Sequence, residues 1–304
     1  MKDWLLIKRS SIRLKTAQDY HRLIHKYILP SFKTRVLSNL KTIQLNHFYQ
    51  DLLKEGLGAR TVRYIHSILR VAFKDAVWQG LISVNPTDNA ILPRLQKREM
   101  QILDEEQISK FLMTAKQSPY YGVYHFAIAT GMRKGELLGL KWIDVDWSKA
   151  TLFIRRQAQR VNGHGIVFEE PKTRSGIRKI KIQQNSIQEL HNQQKREDIL
   201  KKRAGDRWEE NDLVFSTRKG TPIVSSNLRR NFNLMLGRAE LLQIRFHDLR
   251  HTAATMMINH GVPITVVSQI LGHSKPSVTL DIYSHCSVAM QTQASLIMDE
   301  IVGN

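Results

Sequence analysis

HDLRHT at residues 247–252 and LGHSKPSVTLDIYSH at residues 271–285 decide how this chain is read. Their patterning predicts helices over 247–259 and 264–271, and a further short helix over 277–284. His247 and Arg250 are three residues apart, so on a helix they share a face and can grip one group together. His273 follows Leu271-Gly272 at a helix end, and Tyr283 lies ten residues further on. Each signal is weak alone. An H-x-x-R pair arises by chance in a chain with 12 histidines, and a tyrosine beside Ile282 is ordinarily core.

Two strings upstream complete a set. In TGMRKGELLGL (130–140), Arg133 stands at a turn into a helix, where backbone N–H groups favour an anion. In PKTRSG (171–176), Lys172 falls in a turn between two short strands. Arg133, Lys172, His247, Arg250 and His273 are therefore a cationic or proton-carrying group, and Tyr283 supplies a phenol. That combination suits cutting a phosphodiester without a metal. The phosphate oxygens need neutralising, the leaving oxygen needs a proton, and a phenol with pKa near 10 must lose one. A guanidinium forks onto phosphate and stays charged, a lysine on a turn can protonate the leaving oxygen, and a histidine relays a proton near neutrality.

The 304 residues are enough for two domains with separate cores. Lys and Arg number 46 against 27 Asp and Glu, a net charge of +19, which favours a polyanion and above all nucleic acid. No apolar run reaches membrane-spanning length and no signal-peptide pattern opens the chain. Cys286 is the only cysteine, which excludes an intrachain disulfide and a cysteine metal cluster. The expected location is the cytoplasm, on the nucleoid, with no membrane partner, cofactor or metal.

Residues 1–86 read as a basic helical domain. Thr16 is the expected cap of a helix running to Leu29 and stopped by Pro30, followed by helices from Thr42 to Glu55 and from Ala59 to Trp78. The first 100 residues carry 18 Lys and Arg against 7 Asp and Glu, so more than half of the excess charge lies there. Residues 87–102 lack periodicity and are read as a linker. Asp104 and Gln107 have capping-box spacing and open a second domain over 103–304. Within it ATLFIRR, GIVFEE and RKIKI are expected to form a three-stranded antiparallel sheet, turned at Asn162-Gly163 and Ser175-Gly176. Helices are expected over 184–203 and 225–239. The tail, about 287–302, carries Val288, Ala294, Ile297, Met298 and Ile301 on one stripe, for packing on its own domain or on a neighbour.

In order and spacing these strings resemble the tyrosine recombinase (phage integrase) family. The last 200 residues look like its catalytic domain and residues 1–86 like its helical, SAM-like core-binding domain. The resemblance implies a mainly α fold with a small antiparallel β-sheet, two domains closing as a C-shaped clamp on duplex DNA. It implies a site-specific recombinase (integrase) that integrates or excises a mobile element through a 3′-phosphotyrosine link, without ATP or metal. By motif, Tyr283 is the nucleophile, Arg133 and Arg250 stabilise the phosphorane, and Lys172 is the general acid. His247 accepts a proton or binds phosphate, His273 binds phosphate, and Glu136 and Asp248 orient their neighbours. The implied partners are duplex DNA with specific core sites, a homotetramer on two sites, and excisionase and DNA-bending accessory proteins. Many integrases carry a small arm-binding domain ahead of this region, whereas DWLLIKRSSIRLKTAQDY (3–20) opens almost directly in the core-binding part. Either that domain is naturally lacking, as in chromosome-dimer resolvases, or the chain is truncated. The PKTRSGIRKIKI segment looks more like integrases of phages and conjugative elements.

Other readings compete. A chromosome-dimer resolvase or a type IB topoisomerase shares the phosphotyrosine chemistry. A DNA-binding regulator would use 247–259 and 264–271 as a helix-turn-helix around Gly261. His247 and His251, at i and i+4, superficially match a zinc helix, but aspartate replaces the general-base glutamate and Arg250 sits beside the presumed metal.

Overall fold

The computed structural model describes residues 1–33, 35–96, 100–171 and 173–274, and 295, 296, 298, 299 and 302 of the tail. The chain divides into two compact units, Met1–Glu99 and Met100–Asn304.

Unit 1 is all helical. α1 (Lys2–Arg9) and α2 (Leu14–Leu23) are followed by a π turn (Ile24–Ile28) and α3 (Leu29–Phe32), then α4 (Thr42–Lys54) and α5 (Ala59–Trp78). The last two match the sequence expectation closely. The second does not: the helix starts after Arg13 rather than at Thr16, and Pro30 does not end it. The π turn explains why. Leu29 N–H donates to the Ile24 carbonyl, five residues back, so Pro30 falls at the second position of a new helical turn, where no N–H is required. The core comprises Leu23, Ile24, Ile28, Leu45, Phe48, Tyr49, Leu52, Val62, Ile65, Ile68, Leu69 and Phe73. Each such side chain contributes roughly 1.5–3 kcal/mol through burial. Its one internal polar contact of note joins the Tyr49 hydroxyl to His66 Nδ1 at 3.0 Å. α1 is pinned to α5 by Trp4 Nε1 and Lys8 Nζ donating to Asp75 (2.8 and 3.1 Å). Much of the stretch read as a linker is fastened to unit 1. Ile91 N–H donates to Asn46 (2.8 Å), Arg63 donates to the Pro93 carbonyl (3.1 Å), and Thr87 is buried.

Unit 2 opens with α6 (Glu105–Ala115). Asp104 Oδ1 accepts from Gln107 N–H (2.8 Å), and the Gln107 side chain accepts from Asp104 N–H (3.2 Å), the reciprocal cap its spacing predicts. α7 (Tyr121–Thr130) is apolar nearly all round and therefore central. α8 (Lys134–Leu138) follows, then five short strands: β1 (Val145–Asp146), β2 (Thr151–Ile154), β3 (Gln157–Val161), β4 (Gly165–Glu169) and β5 (Arg178–Lys181). α9 (Gln184–Ala204), α10 (Ser225–Arg238), α11 (Asp248–Asn259) and α12 (Ile264–Leu271) complete the described elements. Phe111, Tyr124, Phe232 and Phe246 pack edge-on or tilted against one another at the centre of the core.

The strands correct the single three-stranded sheet expected from sequence. β2 pairs directly with β5 and with β1, whereas β3 and β4 form a separate hairpin about Asn162-Gly163. The cause lies in Arg155 and Arg156. Both bind the buried Asp144 carboxylate, Arg155 at 3.1 Å, and this turns the chain out of the sheet between Ile154 and Gln157. ATLFIRR is thus a strand plus a corner. The β3–β4 hairpin then seats on α8 through Gly139, where an added Cβ would stand 2.9 Å from Ala158 N. The helix expected over 277–284 and most of the tail lie outside the described residues. No described helix is long and apolar enough to cross a membrane.

Candidate active site

The C-terminal end of α12 organises the site. Its last carbonyls belong to Ile270, Leu271 and Gly272, and each accepts from a different arginine. Arg178 Nε reaches the Ile270 oxygen (2.5 Å), Arg250 NH2 that of Leu271 (2.7 Å), and Arg133 NH2 that of Gly272 (3.0 Å). Three cations at one helix C-terminus suit both the unsatisfied carbonyls and the negative end of the helix dipole. Arg250 NH1 also donates to the Gly131 carbonyl (2.8 Å), at the end of α7, and its side chain is buried. The two helix ends must approach closely for this, and both close with a left-handed glycine, Gly131 at φ +62° and Gly272 at φ +67°. A Cβ at Gly131 would lie 2.5 Å from Leu271 Cδ2, and one at Gly272 would lie 2.7 Å from the Ser175 carbonyl.

Arg133 is where the sequence placed it, as the residue before α8. Its N–H and NH1 both donate to Glu136 (2.9 and 2.8 Å). Glu136 is almost fully buried, and its carboxyl is held below the usual carboxylate range by Arg178 and Arg133, which outweigh the cost of burial. It therefore orients two arginines. Asp248, read as orienting, accepts from Arg245 Nε and NH2 (3.1 and 2.6 Å).

His247 ends at the start of α11, and its ring meets that of His251 edge-on at 5.2 Å. His273 follows Gly272 directly. Burial, reinforced by nearby positive groups (Arg250 and Arg133 at both, His251 foremost at His247), lowers each of the pKa values to about 4. At neutral pH both are uncharged hydrogen-bonding groups beside two guanidinium ions. An unfolded histidine titrates near 6.5. Between about pH 4 and 6.5 the unfolded chain therefore binds more protons, and stability contributed by these histidines is lost as pH falls through that window. The melting temperature is expected to drop between pH 7 and pH 5. The drop should be smaller in a His247→Gln/His273→Gln double variant; equal drops would show that these histidines do not carry it.

The structure thus brings together Arg133, His247, Arg250 and His273. Lys172 and Tyr283 lie outside the described residues. One residue of the cluster, Arg178, was missed from sequence because RKIKI was read only as a strand. The signal was there: Arg178 and Ile180 are two apart on β5, so they share the face that Ile180 buries. Among the described residues no cluster of three His, Cys, Asp or Glu is arranged to hold a metal ion.

Residues 101–290 match the family model described as "Phage integrase family", and residues 1–53 match "Phage integrase, N-terminal SAM-like domain". Over 322 aligned residues the chain is 31% identical to a "Tyrosine recombinase XerC-like" protein of Caldanaerobacter subterraneus subsp. tengcongensis, covering 99% of this chain and 82% of that one. It is 25% identical to the "ICEBs1 integrase" of Bacillus subtilis, covering 94% and 77%. In fold it is similar to the Tn1549 transposon integrase solved with a circular intermediate DNA, with a TM-score of 0.80 at 20% identity, covering 97% and 98% of the two chains.

Proposed function

The chain belongs to the phage integrase family, and on that premise we propose that this tyrosine site-specific recombinase uses Tyr283 to cut DNA for a phage or other mobile element. Its reaction is site-specific DNA strand cleavage and rejoining. The Tyr283 oxygen attacks the scissile phosphorus, forming a 3′-phosphotyrosine ester and releasing a 5′-hydroxyl. The 5′-hydroxyl of a partner strand then attacks that ester and frees the phenol, so bond energy is conserved. Arg133 and Arg250 bind the non-bridging oxygens, and Lys172 protonates the departing 5′-oxygen. His247 takes the phenol proton or joins His273 in hydrogen-bonding the phosphate.

The observation that carries this reading is the seating of Arg250. Its guanidinium is buried, and the carbonyls of Gly131 and Leu271 hold it at both ends. These two hydrogen bonds fix the direction of the guanidinium, and a cation held in a set direction is suited to grip an anion. The similarity to the ICEBs1 integrase and the Tn1549 integrase supports service to a mobile element. The assembly we propose is a homotetramer joining two duplex core sites, acting on the nucleoid in the cytoplasm, with excisionase and DNA-bending proteins as accessory partners.

Nicked duplexes cut from the DNA flanking the gene provide the test. Wild-type protein is expected to give a protein–DNA adduct that survives a denaturing gel. Tight binding without an adduct on any flanking duplex would leave a DNA-binding protein and overturn the reading. Affinity should also fall steeply with salt, by roughly a thousandfold or more between 50 and 200 mM, because Lys and Arg contacts release counterions. A flat salt dependence measured by fluorescence anisotropy would argue against backbone binding by the +19 chain.

A further inference from the structure

Arg178 is in none of the roles assigned above, yet it touches three walls of the site. From β5 it donates to the Ile270 carbonyl at the end of α12 (2.5 Å). Both terminal nitrogens reach the Glu136 carboxylate on α8 (3.2 and 2.9 Å), and NH1 also donates to the Gly176 carbonyl (3.1 Å). Its side chain is 7% exposed, against 36% for Arg133. Arg133 opens toward solvent and Arg178 does not.

The charge balance gives this arrangement a purpose. Glu136 holds Arg133 through its N–H and NH1 and so fixes the direction of the guanidinium. A buried carboxylate in that place would also cancel the charge Arg133 needs for a phosphate. With Arg178 on the same carboxylate, the group of three keeps one net positive charge, and the more exposed member presents it. Arg178 also lines the cleft that contains Ser175, Gly272 and His273, and it is among the cations that hold His273 neutral.

Resting on the recombinase reading above, we infer that Arg178 is a positioning residue that neutralises Glu136, so that the carboxylate orients Arg133 without quenching its charge toward the scissile phosphate. Arg178 itself does not touch DNA in this scheme. Removing it leaves Glu136 buried with Arg133 as its sole remaining ion-pair partner among the described residues, and the phosphate-binding charge is spent inside the protein.

A double-mutant cycle separates this from a structural staple. Adduct formation under single-turnover conditions is measured on the same flanking nicked duplexes for wild type, Arg178→Gln, Glu136→Gln and the double variant, with DNA affinity and melting temperature alongside. Arg178→Gln is expected to slow adduct formation roughly 100-fold while DNA affinity stays within a few-fold, a loss of the size seen when one preorganised donor to a transition state is removed. Adding Glu136→Gln should recover about tenfold or more of that loss, because the uncompensated charge is gone. Arg178→Lys keeps the charge without the fork and should fall between wild type and Arg178→Gln. A double variant as slow as, or slower than, Arg178→Gln would overturn the inference, as would wild-type rates in Arg178→Gln. Should Arg178→Gln melt near the assay temperature, the comparison of Arg178→Lys with Arg178→Lys/Glu136→Gln decides in its place. Failure of wild type to form an adduct on any flanking duplex is a different result, since it removes the recombinase reading and this inference with it.

Discussion

Replacing Tyr283 by phenylalanine is expected to abolish the covalent protein–DNA adduct while leaving DNA affinity unchanged. The substitution removes one oxygen, and in the proposed scheme that oxygen is the nucleophile. A phenol with pKa near 10 is ionised in only about one molecule in a thousand at neutral pH. In that scheme the two arginines and a proton acceptor make so poor a nucleophile react, and nothing in Phe can take its place. Binding rests on many Lys and Arg contacts to phosphates and should not register the loss of one hydroxyl. The check is a denaturing gel beside an equilibrium binding curve, wild type and variant on the same nicked duplex. An adduct of ordinary yield from Tyr283→Phe would assign the nucleophile elsewhere.

Arg250→Ala should be the most damaging change among the described site residues, slowing adduct formation by about a thousandfold or more. The loss has two parts. The transition state loses a forked, fully charged donor, and the protein loses the donor to two buried carbonyls, Gly131 O and Leu271 O. Each orphaned carbonyl costs about 1–3 kcal/mol, so the melting temperature should fall as well. Arg250→Lys retains charge but cannot bridge both carbonyls and a phosphate, so it should stay deeply impaired with a smaller loss of stability. Arg133→Ala offers the contrast. At 36% side-chain exposure Arg133 matters less to folding, so a comparable loss of rate should come with little change in melting temperature. Near-normal cleavage by Arg250→Lys and Arg250→Ala, with DNA affinity intact, would refute the phosphate-clamp assignment.

How much of this was legible beforehand depends on how local the cause is. α4, α5 and α12 fall where apolar spacing, flanking glycines and prolines put them, because helix formation is decided by neighbours three and four residues away. The capping pair Asp104 and Gln107 was readable for the same reason. Pro30 misled because its usual effect as a helix stop was cancelled by the π turn over Ile24–Ile28, after which it falls at the second position of α3. The sheet misled because the corner at Arg155-Arg156 depends on Asp144, whose binding of both side chains no periodicity reports. In the site, Arg133, His247, Arg250 and His273 were legible as motif members, whereas Arg178 looked like one more basic residue on a strand.

By itself the sequence determined the two-part organisation of helices, the strong positive charge and the membership of a family, because these follow from composition, local spacing and motif order. It also named Arg133, Arg250, His247 and His273, though not Arg178. Only the tertiary structure decided what holds them: three arginines from β5, α11 and the turn before α8 converge on three successive carbonyls of one helix end, and a buried glutamate is shared between two of them. Those partners lie between 21 and 139 residues apart in the chain, apart from the local bond of Arg133 to Glu136. Contacts at that range are created by packing, through the close approach that Gly131 and Gly272 permit, and no local pattern encodes them.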